Sequence, residues 1–152
     1  RVTGTQRLVL NHVGQVLARG LDYHLKYLKM ESDQLESLRF MSRSVNYLSK
    51  YYELSSMAAD STEKALLQLQ SIRMDKERIN EIKTSLEALA QPTQQSSLEE
   101  FQARATAFQY LEDLIRLLDI RTAFVASLSF SDRKFFREMH SKIWEMENVP
   151  LG

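Results

Sequence analysis

The 152-residue chain has no cysteine, only four glycines and two prolines, and no excess of charge of either sign. Without cysteine there is no disulfide framework, no thiol nucleophile and no thiolate-ligated metal or cluster site. Twenty basic side chains balance twenty acidic ones. This balance argues against nucleic acid as a partner, because nucleic-acid binding needs surplus Lys and Arg to displace counterions.

Glycine and proline are unevenly distributed, and their positions indicate the fold class. Three of the four glycines fall in the first twenty residues, and neither residue type occurs from Leu21 to Gln91 or from Thr93 to Val149. Both stretches are rich in Leu, Ala, Glu, Gln, Lys and Arg, which favour helix. Neither stretch shows the period-two alternation of a strand. The sequence therefore predicts an all-α chain.

Residues 1–20 are predicted to form a short amphipathic N-terminal segment. Over Thr5–Arg19 the apolar side chains fall on one side and the polar side chains on the other. Gly14 weakens this helix by about 1 kcal/mol relative to alanine. Gly20 either ends the helix in a left-handed conformation or lies inside a longer helix that continues.

Residues 21–148 are predicted to form a helical bundle with a loop at residues 90–97. The loop sequence AQPTQQSS contains Pro92, and Ser96 and Ser97 each precede a glutamate by three residues, which is the capping-box spacing. Asp60 and Ser129 begin two further segments where a helix could break or continue. We expect three to four helices in an elongated, antiparallel, coiled-coil-like bundle.

The long helices carry two apolar stripes each, although a helix packed on one neighbour needs only one. One stripe is expected to form the core of the bundle, and the other is expected to meet a protein partner or a second copy of the chain. The predicted core consists of Leu28, Leu35, Leu38, Val45, Leu48, Leu69, Ile79, Ile82, Leu86, Phe108, Leu111, Ile115, Leu118 and Val125. The predicted protein-interface residues are Tyr23, Tyr27, Tyr47, Tyr51, Leu54, Tyr110, Leu114, Leu117, Phe124 and Trp144.

Residue types that carry chemistry are present but do not form a recognisable constellation. The three histidines lie in neither a Glu-x-x-His nor a His-Glu-x-x-His motif. The adjacent carboxylates of Glu99 and Glu100 point about 100° apart on a helix, so they do not share a proton as a catalytic dyad does. We therefore expect no catalytic residue, metal, cofactor or small-molecule substrate, and the chain is predicted not to be an enzyme.

Charge is unevenly distributed along the chain despite the neutral total. Residues 1–50 contain eight basic and four acidic side chains. This excess either supports packing of a basic helix against an acidic one or marks a surface attracted to anionic lipid. If an anionic membrane surface is a partner, the residues predicted to contact it are Arg7, Val9, Val13, Leu17 and Arg19.

Two stretches resemble the BAR module of the sorting nexins. LESLRFMSRSVNYLSKYYELSSMAADSTEKALLQL, from Leu35 to Leu69, is similar in pattern to the first BAR helix of that family, with its basic-Glu-Leu step and Ala-rich end. YLEDLIRLLDIRTAF, from Tyr110 to Phe124, is similar to the middle of the second BAR helix. The resemblance covers about Leu8 to Trp144 and implies dimerisation and binding of curved, phosphoinositide-containing membrane.

Two functions from different classes follow from these patterns. The favoured one is a non-catalytic scaffold or adaptor domain that mediates protein–protein interaction and oligomerisation. The alternative is a BAR-like, curvature-sensing module in vesicle trafficking. The scaffold is favoured because the apolar side of Thr5–Arg19 lacks Phe and Trp, so we expect it to pack on the bundle or on a partner and not in lipid. The expected localisation is cytoplasmic, with peripheral association with endomembranes left open.

Overall fold

A computed structural model describes residues 3–71, 73–91, 94 and 97–147, without the side chains of residues 16, 19 and 140–147. The described residues contain no strand and form five helices: α1 (Gly4–Leu48), α2 (Tyr52–Gln70), α3 (Lys76–Ala90), α4 (Leu98–Ser127) and α5 (Phe130–Glu147). The all-α prediction is confirmed. The predicted count of three to four helices is not confirmed, because helices also end at Leu48 and at Gln70.

Helix α1 runs without a break from Gly4 to Leu48 and contains both Gly14 and Gly20. Neither glycine has a positive φ, so Gly20 does not end a helix in the left-handed conformation. The amphipathic segment predicted at residues 1–20 is therefore the beginning of α1, which is the second of the two possibilities that Gly20 left open. The chain divides into two compact units: unit 1 comprises Arg1–Glu31 and Phe124–Gly152, and unit 2 comprises Ser32–Ala123.

Two helices, α4 and α5, begin at side-chain caps whose residues the sequence analysis had singled out. Helix α3 ends at Ala90 and α4 begins at Leu98, and Ser97 Oγ accepts a hydrogen bond from the Glu100 amide at 3.2 Å. Before α5, the Ser129 Oγ accepts from the Asp132 amide at 3.2 Å while the Asp132 carboxylate accepts from the Ser129 amide at 3.3 Å. This reciprocal capping box satisfies amides that the first helical turn leaves unpaired.

In unit 2, two hydrogen bonds show the relative direction of α2 and α4. The hydroxyls of Thr62 and Tyr110 lie 2.6 Å apart, and the Arg121 guanidinium donates to the Ser71 carbonyl at 2.6 Å. Because the higher-numbered residue of α4 meets the higher-numbered residue at the end of α2, these two helices run in parallel.

Two further hydrogen bonds show the relative direction of α3 and α4. Near the start of α4, Arg104 donates to the Leu89 carbonyl at the end of α3 at 2.9 Å. Near the end of α4, the Thr122 hydroxyl contacts the Met74 sulfur, just before the start of α3, at 3.3 Å. Helix α3 is therefore antiparallel to α4, and the arginine covers carbonyls at an end of α3 that lack helical partners.

The core of unit 2 draws on all four of its helical segments, with α4 contributing most. Its buried cluster is Met41, Leu48, Ala58, Ala65, Ile82, Leu89, Ala107, Tyr110, Leu111, Leu114, Leu117 and Leu118. Four residues of the predicted core are fully buried: Leu48, Ile82, Leu111 and Leu118. Six more are half-buried: Leu69, Ile79, Leu86, Phe108, Ile115 and Val125.

The remaining four predicted core residues are exposed, and the prediction for them is wrong. Leu28, Leu35, Leu38 and Val45 of α1 are between 48% and 59% exposed. The side of α1 that is buried instead carries Tyr23, Met30, Ser37, Met41 and Leu48. Periodicity locates two apolar stripes on a helix, but it does not rank them, because the choice depends on which stripe fits the surfaces of the neighbouring helices.

Unit 1 is held together by aromatic side chains between α1, the end of α4 and α5. The Tyr23 ring lies 4.7 Å from that of Phe135 and 6.1 Å from that of Phe124, and Phe124 lies 5.7 Å from Phe136, measured between ring centroids. Edge-to-face pairs of this kind stabilise beyond the area that they bury. A hydrogen bond adds to these contacts: the Lys26 ammonium donates to the Ser127 carbonyl at 3.4 Å. This carbonyl lies at the C-terminal end of α4, where the helix dipole favours a cation.

The buried Tyr23 predicts a loss of stability at alkaline pH. Burial, and then the neighbouring Tyr27 and Asp132, raise the pKa of its hydroxyl from 10.0 to about 12. A pKa above the unfolded value stabilises the fold fully below about pH 10, and this contribution is lost as the pH rises towards about 12. We expect Tyr23→Phe to reduce the fall in unfolding free energy over that range, measured by urea denaturation. Tyr52→Phe, at a side chain that is 85% exposed, should leave the fall unchanged.

Candidate functional site

The most prominent surface feature of unit 1 is a row of exposed apolar side chains along α1. This outer stripe consists of Leu10, Val13, Leu17, Leu21, Leu25 and Leu28, which are between 48% and 69% exposed. At 100° per residue these six side chains fall within an arc of about 120°. The buried Tyr23 and Met30 lie on the opposite side of the same helix. Contiguous apolar patches of this kind mark interaction sites on folded proteins.

Two of the glycines in α1, Gly14 and Gly20, indicate that the surface around them is open. A Cβ atom added at Gly14 or at Gly20 would meet no atom within 4 Å outside the local helix backbone. Gly14 falls on the same arc as the outer stripe, since at 100° per residue it lies about 40° from Leu10 around the helix. The described apolar side chains of Thr5–Arg19 are exposed, and the expectation that they pack on a partner stays a prediction.

The outer stripe belongs to a segment with a marked charge bias. Between Gly4 and Met30 the basic residues are Arg7, Arg19, Lys26 and Lys29, and the acidic residue is Asp22, which leaves a net charge of three positive. The Asp22 carboxylate lies 3.0 Å from the Lys26 ammonium. Since i,i+4 pairing offsets this acid locally, the segment has a positive surface although the chain as a whole is neutral.

The residues predicted for membrane contact lie on this segment. Arg7, Val9, Val13 and Leu17 are exposed, and the side chain of Arg19 lies outside the described residues. The sequence-based selection omitted Leu10, Leu21 and Leu25 and assigned Leu28 to the core. Their spacing of three and four residues places them in line with Val13 and Leu17. Treating α1 as one continuous helix would have identified them.

The predicted protein-interface residues divide into three groups. Tyr23, Tyr110, Leu114, Leu117 and Phe124 are at most 7% exposed, and the chain's own helices cover them, so their assignment to a partner surface is corrected. Helix α4 needs apolar residues on both sides because the other helical segments of unit 2 share its core. Tyr27, Tyr47, Tyr51 and Leu54 are half-buried, and their role in an interface stays a prediction. The side chain of Trp144 lies outside the described residues.

A cavity of about 450 Å³ opens in unit 2 at the start of α2. It is lined by Tyr51, Tyr52, Glu53, Leu54, Gln94, Glu100, Ala103 and Arg104. The Tyr51 hydroxyl donates to the Glu99 carboxylate at 2.9 Å, and hydrogen bonding with Tyr47, burial and this carboxylate raise the pKa of Tyr51. The carboxylates of Glu53 and Glu100 at its wall disfavour an anionic ligand, and Arg104 is already directed to the carbonyls at the end of α3.

One buried carboxylate stands out inside unit 2. Asp113 is 3% exposed, and its Oδ1 accepts a hydrogen bond from Gln109 at 3.3 Å. Its Oδ2 has no hydrogen-bond partner among the described residues. Within the part of the chain that the structure describes, no three His, Cys, Asp or Glu side chains are grouped so that they could hold a metal ion. Asp113 is therefore a cost to stability in the described structure.

Comparison with known proteins identifies one family. The family described as "Putative aromatic acid exporter C-terminal domain" matches residues 1–122, which include α1, α2, α3 and most of α4. No curated protein and no solved structure matches the chain.

The family match corrects several expectations. The resemblance to the BAR module of the sorting nexins is wrong, and with it the curvature-sensing role in vesicle trafficking. The scaffold or adaptor function with its expected dimer is contradicted as well, because the matched domain is that of a membrane exporter. The same finding conflicts with a cytoplasmic localisation.

Among the described helices, none combines the length and the apolar character needed to cross a membrane. The family match nevertheless extends over 122 of the 152 residues and includes the whole outer stripe. This chain belongs to the family of aromatic acid exporter C-terminal domains.

Proposed function

We propose that this chain is a non-catalytic domain of an exporter of aromatic acids, and that it supports export by docking at the membrane side of the exporter through the outer stripe of α1. The family match across residues 1–122 carries this proposal. In this proposal the domain binds and positions through the outer stripe and does not itself bind the transported acid. The acid is bound by another part of the exporter.

A non-catalytic role agrees with the chemistry of the described surface. The cavity beside Tyr51 and Arg104 contains two carboxylates, which repel the carboxylate of an aromatic acid. A transported anion would need an unoccupied cationic partner, and Arg104 is directed to the carbonyls of Ala88 and Leu89. The outer stripe, in contrast, offers apolar area that the chain itself does not cover.

We also propose that the four helical segments of unit 2 form an up-down-up-down bundle that supports the docking helix. The parallel run of α2 with α4 and the antiparallel run of α3 against α4 support this topology. The three-residue connection between α1 and α2 supports an antiparallel pair there, since short connections join antiparallel neighbours. Lys64 of α2 ties the bundle to α3 through an ion pair with Glu81 at 3.2 Å.

The proposal is tested by export of benzoate from cells that make the full exporter containing this chain. The test variant is the double substitution Leu17→Glu/Leu21→Glu, which places two charges on the outer stripe. The matched control is Leu66→Glu/Leu67→Glu on α2, where the leucines are 53% and 46% exposed and also adjacent to solvent. Both variants change the same residue types by the same charge at exposed helical positions.

We expect the outer-stripe variant to lower the benzoate efflux rate by about tenfold or more, because charged side chains abolish docking of an apolar face. The control variant should export at the wild-type rate. Immunoblotting of membrane fractions should show equal amounts of exporter in all three strains. Wild-type efflux by the outer-stripe variant at equal protein level would overturn the proposal.

A further inference from the structure

We infer that the outer stripe binds the interface of an anionic lipid bilayer, so that the first half of α1 lies on the membrane surface next to the exporter. This inference deepens the proposed function, since it names lipid as the occupant of the docking face. The two remain separable, because binding to vesicles is measured without any export.

The geometry of α1 suits a helix that lies in the plane of a membrane surface. From Leu10 to Leu28 the outer stripe extends over about 27 Å at 1.5 Å per residue. Its six members are exposed along one side, while Tyr23 and Met30 on the other side are buried in the aromatic core of the same unit. A helix of this kind inserts its apolar face to a depth of about 5–10 Å, at the boundary of headgroups and acyl chains.

Charge complementarity points to lipid with negative headgroups. The segment Gly4–Met30 has four basic residues and one acid, and that acid is paired with Lys26 at 3.0 Å. Arg7 and Lys29 are exposed near the two ends of the outer stripe. Basic residues beside an inserted apolar face are attracted by the negative surface potential of anionic membranes.

The outer stripe itself contains no charge that would resist insertion. At 100° per residue, the described side chains that share its arc between Gly4 and Met30 include Gln6, Arg7, Gly14 and His24, and none of them is acidic. Other exposed leucines lack this setting: Leu66 and Leu67 on α2 lie three residues after Glu63 and Lys64, respectively. An apolar face without acidic residues between Gly4 and Met30 is therefore a property of α1 that the leucines of α2 do not share.

The test is flotation of the purified 152-residue chain with vesicles. One set contains phosphatidylcholine alone, and the other contains phosphatidylcholine with about one third phosphatidylglycerol, which supplies the anionic surface. The variants are Leu17→Glu/Leu21→Glu and the control Leu66→Glu/Leu67→Glu, and far-UV circular dichroism verifies that each is as helical as the wild type. A further arm repeats the anionic vesicles in about 1 M salt, where the Debye length falls to about 3 Å.

We expect the wild type and the control to float with anionic vesicles, and the outer-stripe variant to bind at least about tenfold less because its apolar face can no longer insert. Binding should be weaker to phosphatidylcholine alone and should decrease in high salt. Failure of the wild type to float, or equal loss in both double variants, would overturn the inference. Sedimentation that shows self-association lost only in the outer-stripe variant would assign the face to a second copy instead.

The flotation and export results together separate the two proposals. If the outer-stripe variant loses export but the wild type does not float, the stripe docks on protein, so the lipid inference fails and the proposed function stands. If the wild type floats through the stripe but export is unaffected by the variant, the lipid inference stands and the proposed function fails.

Discussion

Leu118→Ala is expected to lower the free energy of unfolding by about 2–5 kcal/mol, the range observed when a fully buried leucine is truncated and a cavity remains. Leu118 is 1% exposed and belongs to the buried cluster of unit 2 together with residues from α1, α2 and α3. Because α4 is surrounded by these helices, the site can collapse only in part. Urea denaturation followed by circular dichroism measures the effect.

Leu38→Ala is the matched control for this prediction. The sequence assigns Leu38 and Leu118 to the same core, but the structure leaves Leu38 48% exposed. An exposed leucine contributes little apolar burial, so the control should cost less than about 1 kcal/mol. Equal losses in the two variants would mean that the leucine stripe of α1, and not its tyrosine and methionine side, faces the core.

Asp113→Asn is expected to raise the free energy of unfolding by about 1–3 kcal/mol, because burying a neutral amide costs less than burying a carboxylate whose Oδ2 lacks a partner among the described residues. The amide is nearly the same size as the carboxylate, so the packing around α4 is retained. Asp119→Asn is the control on the same helix, at an exposed position where the effect should stay within about 0.5 kcal/mol.

A destabilised Asp113→Asn variant would contradict this prediction. It would mean that the carboxylate has a favourable partner in solution, such as a cation or an ordered water chain. Repeating the urea denaturation of both proteins with added MgCl₂ and with added KCl distinguishes these two partners, because only a bound cation would make the wild-type stability depend on the salt that is added.

Local sequence chemistry accounts for the fold class and for several helix boundaries. Long stretches without glycine or proline predicted helices, and α3 and α4 end and begin on either side of the segment that contains Pro92. Ser97 caps α4, and Ser129 with Asp132 forms the capping box that begins α5. These features depend on hydrogen bonds between residues three apart, so the sequence contains all the information that they need.

The segments between α1 and α2 and between α2 and α3 contain no glycine or proline, although the Asp75 carboxylate caps the start of α3 locally by accepting a hydrogen bond from the Glu77 amide at 2.9 Å. Both segments are stabilised by distant partners: Tyr51 donates to Glu99 of α4, and Ser71 accepts from Arg121 of the same helix. A side chain about fifty residues away cannot be identified from helical periodicity. The five-helix count therefore depends on tertiary contacts.

The candidate site was predicted only in part for the same reason. The sequence identified Val13 and Leu17 as an apolar face and the first fifty residues as basic, but it assigned Leu28 to the core and expected the face to be covered. Which of two stripes is buried depends on the shapes of the helices that pack against α1. The family was also missed, because leucine-rich helical patterns are shared by many unrelated bundles.

The sequence by itself determined that this protein is helical, that Ser97 caps a helix start, that Thr5–Arg19 is amphipathic and that the first fifty residues carry an excess of basic side chains. These properties follow from propensity, capping and composition, which act within one helix. Only the tertiary structure decided that Tyr23 and Met30 turn inward while Leu17, Leu21 and Leu28 turn to solvent. That choice is made by packing between helices, since a stripe is buried only when a complementary surface exists to receive it.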